Sequence, residues 1–254
     1  MKAKSLLIIG DERESKKRPA RPFVSFVKHV RKLIPKNAES ATVSYKEVLV
    51  GKLPVFKHPM VEIILFFPYD YWNEHIEVYD KDKRLYGDDS FGKEYARFFK
   101  MVENRIKKAY SDKKIIYLNH PSSSLIERDK KKAKHILNKN GIPSPKVFRV
   151  TDTKKIYRIL EKGKAVYIKP RFGALGKGIT YLSRDSFITN FKYKHGKIIN
   201  RRSDYGWRCY RLKKGKRNKL LQELIRRKFI FEEAIEHPVH RGKRFDFRVH
   251  VIYG

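Results

Sequence analysis

Residues 167–179 read YIKPRFGALGKGI: Lys169 ends an apolar, strand-like run, and Gly173, Gly176 and Gly178 follow within a few residues, ahead of a second apolar run. Glycines carry no Cβ, so their backbone N–H groups can approach phosphate oxygens closely, with the Lys169 ammonium at the root of the loop. The spacing does not fit the GxxxxGK[ST] phosphate loop, and no helical pattern follows as a dinucleotide fingerprint requires. A glycine hairpin joining two strands accounts for the segment equally well. The phosphate reading therefore needs further residues.

Three other places supply them. Asp129 and Lys130 open a helical pattern that ends in GIPSP. Glu232 and Glu233 close the apolar run in FIFEEAIE, with Ile235 just beyond. In KRFDFRVHVIYG, strand alternation puts Phe245, Phe247, Val249 and Val251 on one face and Asp246, Arg248 and His250 on the other. Phosphoryl transfer depends on positioning and on cations around the moving phosphate, and these are residue types that provide both. Each also has a plain structural explanation. Lys130 sits among solvated lysines, Glu232 and Glu233 can end an exposed edge strand, and Arg248 can pair with Asp246 at the surface for little gain.

In this order and at these separations the four segments resemble the ATP-grasp superfamily. AVYIKPRFGALGKGI together with FIFEEAIEHPVHRGKRFDFRVHV looks most like its YheC/YheD-type, endospore coat-associated branch. The resemblance implies an α/β pre-ATP-grasp domain over residues 1–125 and an ATP-grasp domain of two α+β lobes over 126–254. It implies that Lys130 and Lys169 contact ATP phosphates under a loop running from Gly173 through Gly176 to Gly178. It implies a hinge at Glu232, Glu233 and Ile235 that reads adenine, Asp246 on the ribose, and Arg248 as the catalytic arginine facing the γ-phosphate and an acyl phosphate. The family's Mg2+ ligands follow the strand that here holds Asp246 and Arg248, so they are expected beyond Gly254, and the chain is expected to be a fragment of a longer enzyme, the alternative being a truncated form with impaired chemistry. The implied activity is an ATP-dependent carboxylate–amine ligase, with both substrates unspecified.

The elements that must position these residues follow from the hydrophobic pattern. SLLII near the start, EVLVGKLPVF, EIILFF and KIIYL read as strands. Phe23, Phe26, Val27, Val30 and Ile34, with Pro22 at the first turn and Pro35 as terminator, predict one amphipathic helix. Tyr95, Phe98, Phe99, Val102 and Ile106 predict another. KDKRLYGDDSFGK reads as an exposed loop, and NHPSSSLIERDK as the break between the two halves. Beyond it, Ala133, Ile136 and Leu137 predict a short helix stopped by Gly141, while KVFRV, KAVYIKP, GITYL and FIF predict strands. Residues 186–219 mix aromatic and basic side chains, and read as a hairpin with an exposed loop. Strands and helices alternating in the first half point to an α/β layer architecture.

Composition sets the outer bounds. The 254 residues carry 61 Lys+Arg against 27 Asp+Glu, a formal charge of +34, with 41% hydrophobic residues. That is enough apolar material for packed cores, which excludes a wholly disordered chain. The single cysteine, Cys209, excludes an internal disulfide and a Cys-based metal framework, and no apolar run is long enough to span a membrane. A cytoplasmic location is expected. The charge also supports a second class of function, a basic nucleic-acid- or polyanion-binding protein that keeps the fold without turnover. Binding that weakens steeply with salt and ignores ATP would mark that class.

Overall fold

The computed structural model describes residues 4–15, 18–34, 39–77, 85–174, 176–194, 197–199, 209–236 and 238–244. Asp246, Arg248 and His250 lie outside them. The first half is built on a four-stranded parallel sheet. Ser5–Ile9 (β1) lies between Ser40–Val43 (β2) and Met60–Leu65 (β3), and Lys114–Tyr117 (β4) flanks β3. A parallel sheet needs both faces covered. On one face Phe23 and Val27 of helix Arg21–Leu33 (α1) close over Ile8. On the other, Phe98, Phe99, Val102 and Ile106 of helix Asp89–Ala109 join Leu7, Ile9, Val61 and Ile63.

Two stretches of this half differ from the sequence reading. Residues 47–56 hold no strand. Ser44 and Glu47 instead form a reciprocal cap: the Glu47 N–H donates to Ser44 Oγ at 3.2 Å and the Ser44 N–H to Glu47 Oε2 at 2.7 Å. This cap starts the short helix Tyr45–Leu49 (α2), which precedes the loop. Helix Asp89–Ala109 becomes α3. Of the stretch 81–93 read as an exposed loop, residues 81–84 lie outside the described residues, and in the rest Leu85, Tyr86 and Phe91 are buried. Charged neighbours mask three apolar anchors there.

The second half carries a six-stranded antiparallel sheet. Its strands are Val147–Phe148 (β5), Val166–Lys169 (β6), Thr180–Leu182 (β7), Phe187–Thr189 (β8), Tyr210–Arg211 (β9) and Ile230–Glu233 (β10), in the order β9-β8-β7-β6-β10-β5. Helices Pro121–Arg128 (α4), Lys130–Lys139 (α5), Thr153–Glu161 (α6) and Lys214–Arg226 (α7) accompany it. Helix α7 starts inside the basic stretch that the sequence suggested was a loop. Val166, Ile168, Leu182 and Phe231 bury one face of the sheet with Ile156 and Leu160 of α6 and Leu220, Leu221 and Leu224 of α7. Alternation therefore sends Tyr167, Lys169 and Glu232 to the opposite face. The fold class is mixed α/β, as expected. Among the described residues no helix is long and apolar enough to cross a membrane.

The two sheets are joined by packing around residues 85–92 and 170–173. The Phe172 N–H donates to the Gly87 carbonyl at 2.9 Å, and the Phe172 ring lies over Gly92 in α3. A Cβ at Gly92 would come within 2.5 and 2.6 Å of the two ring Cε atoms. Alanine gains up to about 1 kcal/mol over glycine in a helix interior, but overpacking of this kind costs about 1–3 kcal/mol. Gly92→Ala is therefore expected to lower the unfolding free energy in urea by about 1–2 kcal/mol, and Gly92→Ala/Phe172→Ala to show no further loss from the added methyl. A Gly92→Ala protein as stable as the parent would contradict this contact.

Candidate functional site

The site residues gather on the open face of the second sheet. Helix α5 follows α4 directly, and Asp129 caps it by accepting the Lys131 and Lys132 N–H groups at 3.1 and 3.2 Å. Arg171 grips the same carboxylate with two bonds, Nε to Oδ1 at 2.8 Å and Nη2 to Oδ2 at 2.6 Å. Burial works against the Asp129 charge, but Arg171 and the helix N–H groups outweigh it and hold its pKa below the usual carboxylate range. This clamp fixes the start of α5 against the strand end at Lys169. Lys130 and Lys134, one turn apart, then share the helix face that looks onto Lys169 and Glu232.

Glu232 is the centre of the cluster, with only 2% of its surface exposed. Its Oε2 accepts from Lys134 Nζ at 2.8 Å, and its Oε1 pairs with Lys169 Nζ. Burial pushes its pKa up, yet the two ammonium groups prevail and the carboxyl is held below its ordinary value. Lys134 also reaches the Pro145 carbonyl at 3.4 Å. Among the described residues Lys130 pairs with no carboxylate. Its Nζ donates to the Pro170 carbonyl at 3.1 Å and to the Gly173 carbonyl. Burial first, then the Lys169 and Arg128 charges, push the Lys130 pKa down to about 8. Among the described residues Lys134 and Lys169 thus divide one carboxylate, while Lys130 beside them is bonded to carbonyl oxygens alone.

The glycine loop is anchored from below. Gly176 and Gly178 adopt φ of +70° and +71°, which favours glycine, while Gly173 is needed for close approach to the Pro170 and Tyr86 side chains. Tyr86 Oη accepts the Ala174 N–H at 3.1 Å, and Asn190 Nδ2 donates to the Gly176 carbonyl at 2.7 Å. Lys177 reaches across to Glu77 at 2.5 Å, and Trp72 Nε1 donates to the other oxygen of that carboxylate at 2.7 Å. The first half thus holds the loop over Lys130 and Lys169.

Glu233 points away from the cluster to Lys164, at 2.8 Å. The Glu233 and Ala234 N–H groups bond to the Lys146 and Ala165 carbonyls, and Ile235 follows with 61% of its surface exposed. The structure thus brings together Lys130, Lys169, the glycine loop and Glu232, with Glu233 and Ile235 at the rim. Asp246 and Arg248 fall outside the described residues. Sequence reasoning missed Lys134, whose signal is its four-residue spacing from Lys130. It also missed Glu77 and Tyr86, which no local pattern marks. Among the described residues no group of three or more His, Cys, Asp or Glu side chains is placed to hold a metal. The Mg2+ that the resemblance implies has no described ligand set.

The residues of this cluster, Lys130, Lys134, Lys169, the glycine loop and Glu232, all fall in one stretch that matches a single family model. Residues 128–252 match the YheC/D-like ATP-grasp family. No curated protein matches the chain in sequence. Among solved structures, the ATP-grasp ligase PsnB complexed with minimal precursor, Mg and ADP aligns at 12% identity and a TM-score of 0.43, over 91% of this chain and 66% of its own. D-alanine–D-alanine ligase from Bacillus anthracis complexed with ATP aligns at 14% identity and a TM-score of 0.42, over 93% and 58%. D-alanyl-alanine synthetase A from Vibrio cholerae aligns at 12% and 0.41, over 96% and 65%. The chain spans 58 to 66% of the length of these structures.

Within residues 128–252, Lys130 supplies a measurable signature. A lysine charged in the folded chain despite a pKa of about 8, against about 10.5 for an ordinary lysine, costs on the order of 3 kcal/mol at neutral pH. Between about pH 8 and 10.5 the unfolded chain binds more protons at this position than the folded one, so the cost is relieved as pH rises. The unfolding free energy of wild type minus that of Lys130→Met is expected to climb across that window. A difference that is flat or falls from pH 7.5 to 10 would contradict the Lys130 environment.

Proposed function

We propose that the chain binds ATP on this cluster and belongs to an ATP-dependent carboxylate–amine ligase that works through an acyl phosphate. One observation carries the reading: beside the carboxylate that Lys134 and Lys169 divide, Lys130 is buried against carbonyl oxygens of the glycine loop with a lowered pKa, inside a stretch that matches an ATP-grasp family. Such partly desolvated positive charge is unfavourable by itself and is relieved by a polyphosphate. On this reading residues 1–125 form a preceding α/β domain and 126–254 the ATP-grasp domain. Lys130 and Lys169 bind the phosphates beneath Gly173, Gly176 and Gly178, and the hinge at Glu232, Glu233 and Ile235 seats the adenine. Asp246 holds the ribose and Arg248 steadies the transferring phosphate.

The chemistry balances in two steps. A substrate carboxylate oxygen bonds to the γ-phosphorus as the bond to the β-phosphate oxygen breaks, giving an acyl phosphate and ADP. An amine nitrogen then attacks the acyl carbon, phosphate leaves, and the amine loses a proton. Cations that neutralise charge on the moving phosphate lower the first barrier. A formal charge of +34 fits a substrate that is itself polyanionic.

Calorimetric titration of the chain with ATP tests the reading. Lys130→Ala and Lys169→Ala are each expected to weaken binding by about 10- to 100-fold, the loss of one charge-assisted contact worth roughly 1.5–3 kcal/mol. Unchanged affinity in both variants would contradict the placement of the phosphates.

A further inference from the structure

Both oxygens of Glu232 are occupied by lysines from different elements: Lys169 on β6 and Lys134 on α5. The nucleotide reading needs one of these lysines elsewhere. Lys169 is the one at the root of the glycine loop, beside Lys130, and its side chain keeps 28% of its surface exposed. Lys134 is 15% exposed and is also fastened to the Pro145 carbonyl. Were Lys169 the sole partner, its departure to a phosphate would strand a buried carboxylate without a counter-charge, which the low-dielectric interior strongly disfavours.

We infer that Lys134 is a positioning residue that keeps the buried Glu232 carboxylate neutralised while Lys169 exchanges that carboxylate for a nucleotide phosphate. The inference rests on the ATP reading above and adds to it a counter-ion exchange. Lys134 touches no phosphate in this scheme. It acts through Glu232, and it makes Lys169 available without the protein losing a buried ion pair. The exchange also frees Glu232 Oε1, the oxygen nearest Lys169, for a donor on the ligand.

The test is ATP affinity, by calorimetry on the full chain, for wild type, Lys134→Met, Lys134→Arg, Glu232→Gln and Lys134→Met/Glu232→Gln. Lys134→Met is expected to bind ATP at least tenfold more weakly, because Lys169 is then Glu232's only counter-ion and resists moving. Lys134→Arg, which keeps the charge, is expected within threefold of wild type. The double variant is expected within threefold of Glu232→Gln alone, since a neutral amide needs no counter-ion. A residue that merely supports α5 would show no such rescue. Where Lys134→Met does not fold, Lys134→Gln replaces it in both single and double forms. Equal affinity of Lys134→Met and wild type overturns the exchange and leaves the ATP reading standing, as does a double variant that retains the full loss. Absence of ATP binding by wild type overturns the ATP reading, and the exchange with it.

Discussion

The second half of the protein is organised around one buried carboxylate. Glu232, sealed at the end of β10, stays ionised only because Lys134 and Lys169 reach it from two different elements. Removing one partner from a buried ion pair costs about 3–5 kcal/mol, so α5 and β6 cannot drift apart while it persists. The bidentate Arg171–Asp129 clamp sets the same spacing from the other end of α5. Between these two ionic fixtures Lys130 is left with carbonyl oxygens for partners. Its depressed pKa records that shortage of negative charge.

The first sheet contributes to the site although none of its strands enters it. Tyr86 and Glu77, both buried, hold the glycine loop at Ala174 and Lys177. Phe172 seats against Gly87 and Gly92. The loop conformation is therefore set jointly by its own glycines and by side chains some ninety residues earlier. A ligand on the loop would feel any loosening of that contact, which couples packing between the halves to the electrostatics of the cluster.

Much of this was legible in the sequence because the signals were local. The amphipathic patterns of α1 and α3, the strand that ends at Lys169, the glycine loop and the strand that ends at Glu233 all lie where periodicity placed them. Residues 47–56 misled because VLV looks like a strand while the deciding feature, the Ser44–Glu47 cap, sits just ahead of it. Leu85 and Tyr86 misled because charged residues surround them, and their burial depends on partners in the other half of the chain. Lys134 was invisible for a related reason. Among the lysines of KKKAK only the fold shows which ones face a carboxylate a hundred residues away.

The most direct measurement is a crystal structure of the chain with a non-hydrolysable ATP analogue. The account expects phosphate oxygens at about 3 Å from the Lys130 and Lys169 ammonium groups, beneath the loop from Gly173 to Gly178, with Lys134 still bonded to Glu232. A nucleotide bound elsewhere, with Lys169 still seated on Glu232, would contradict it.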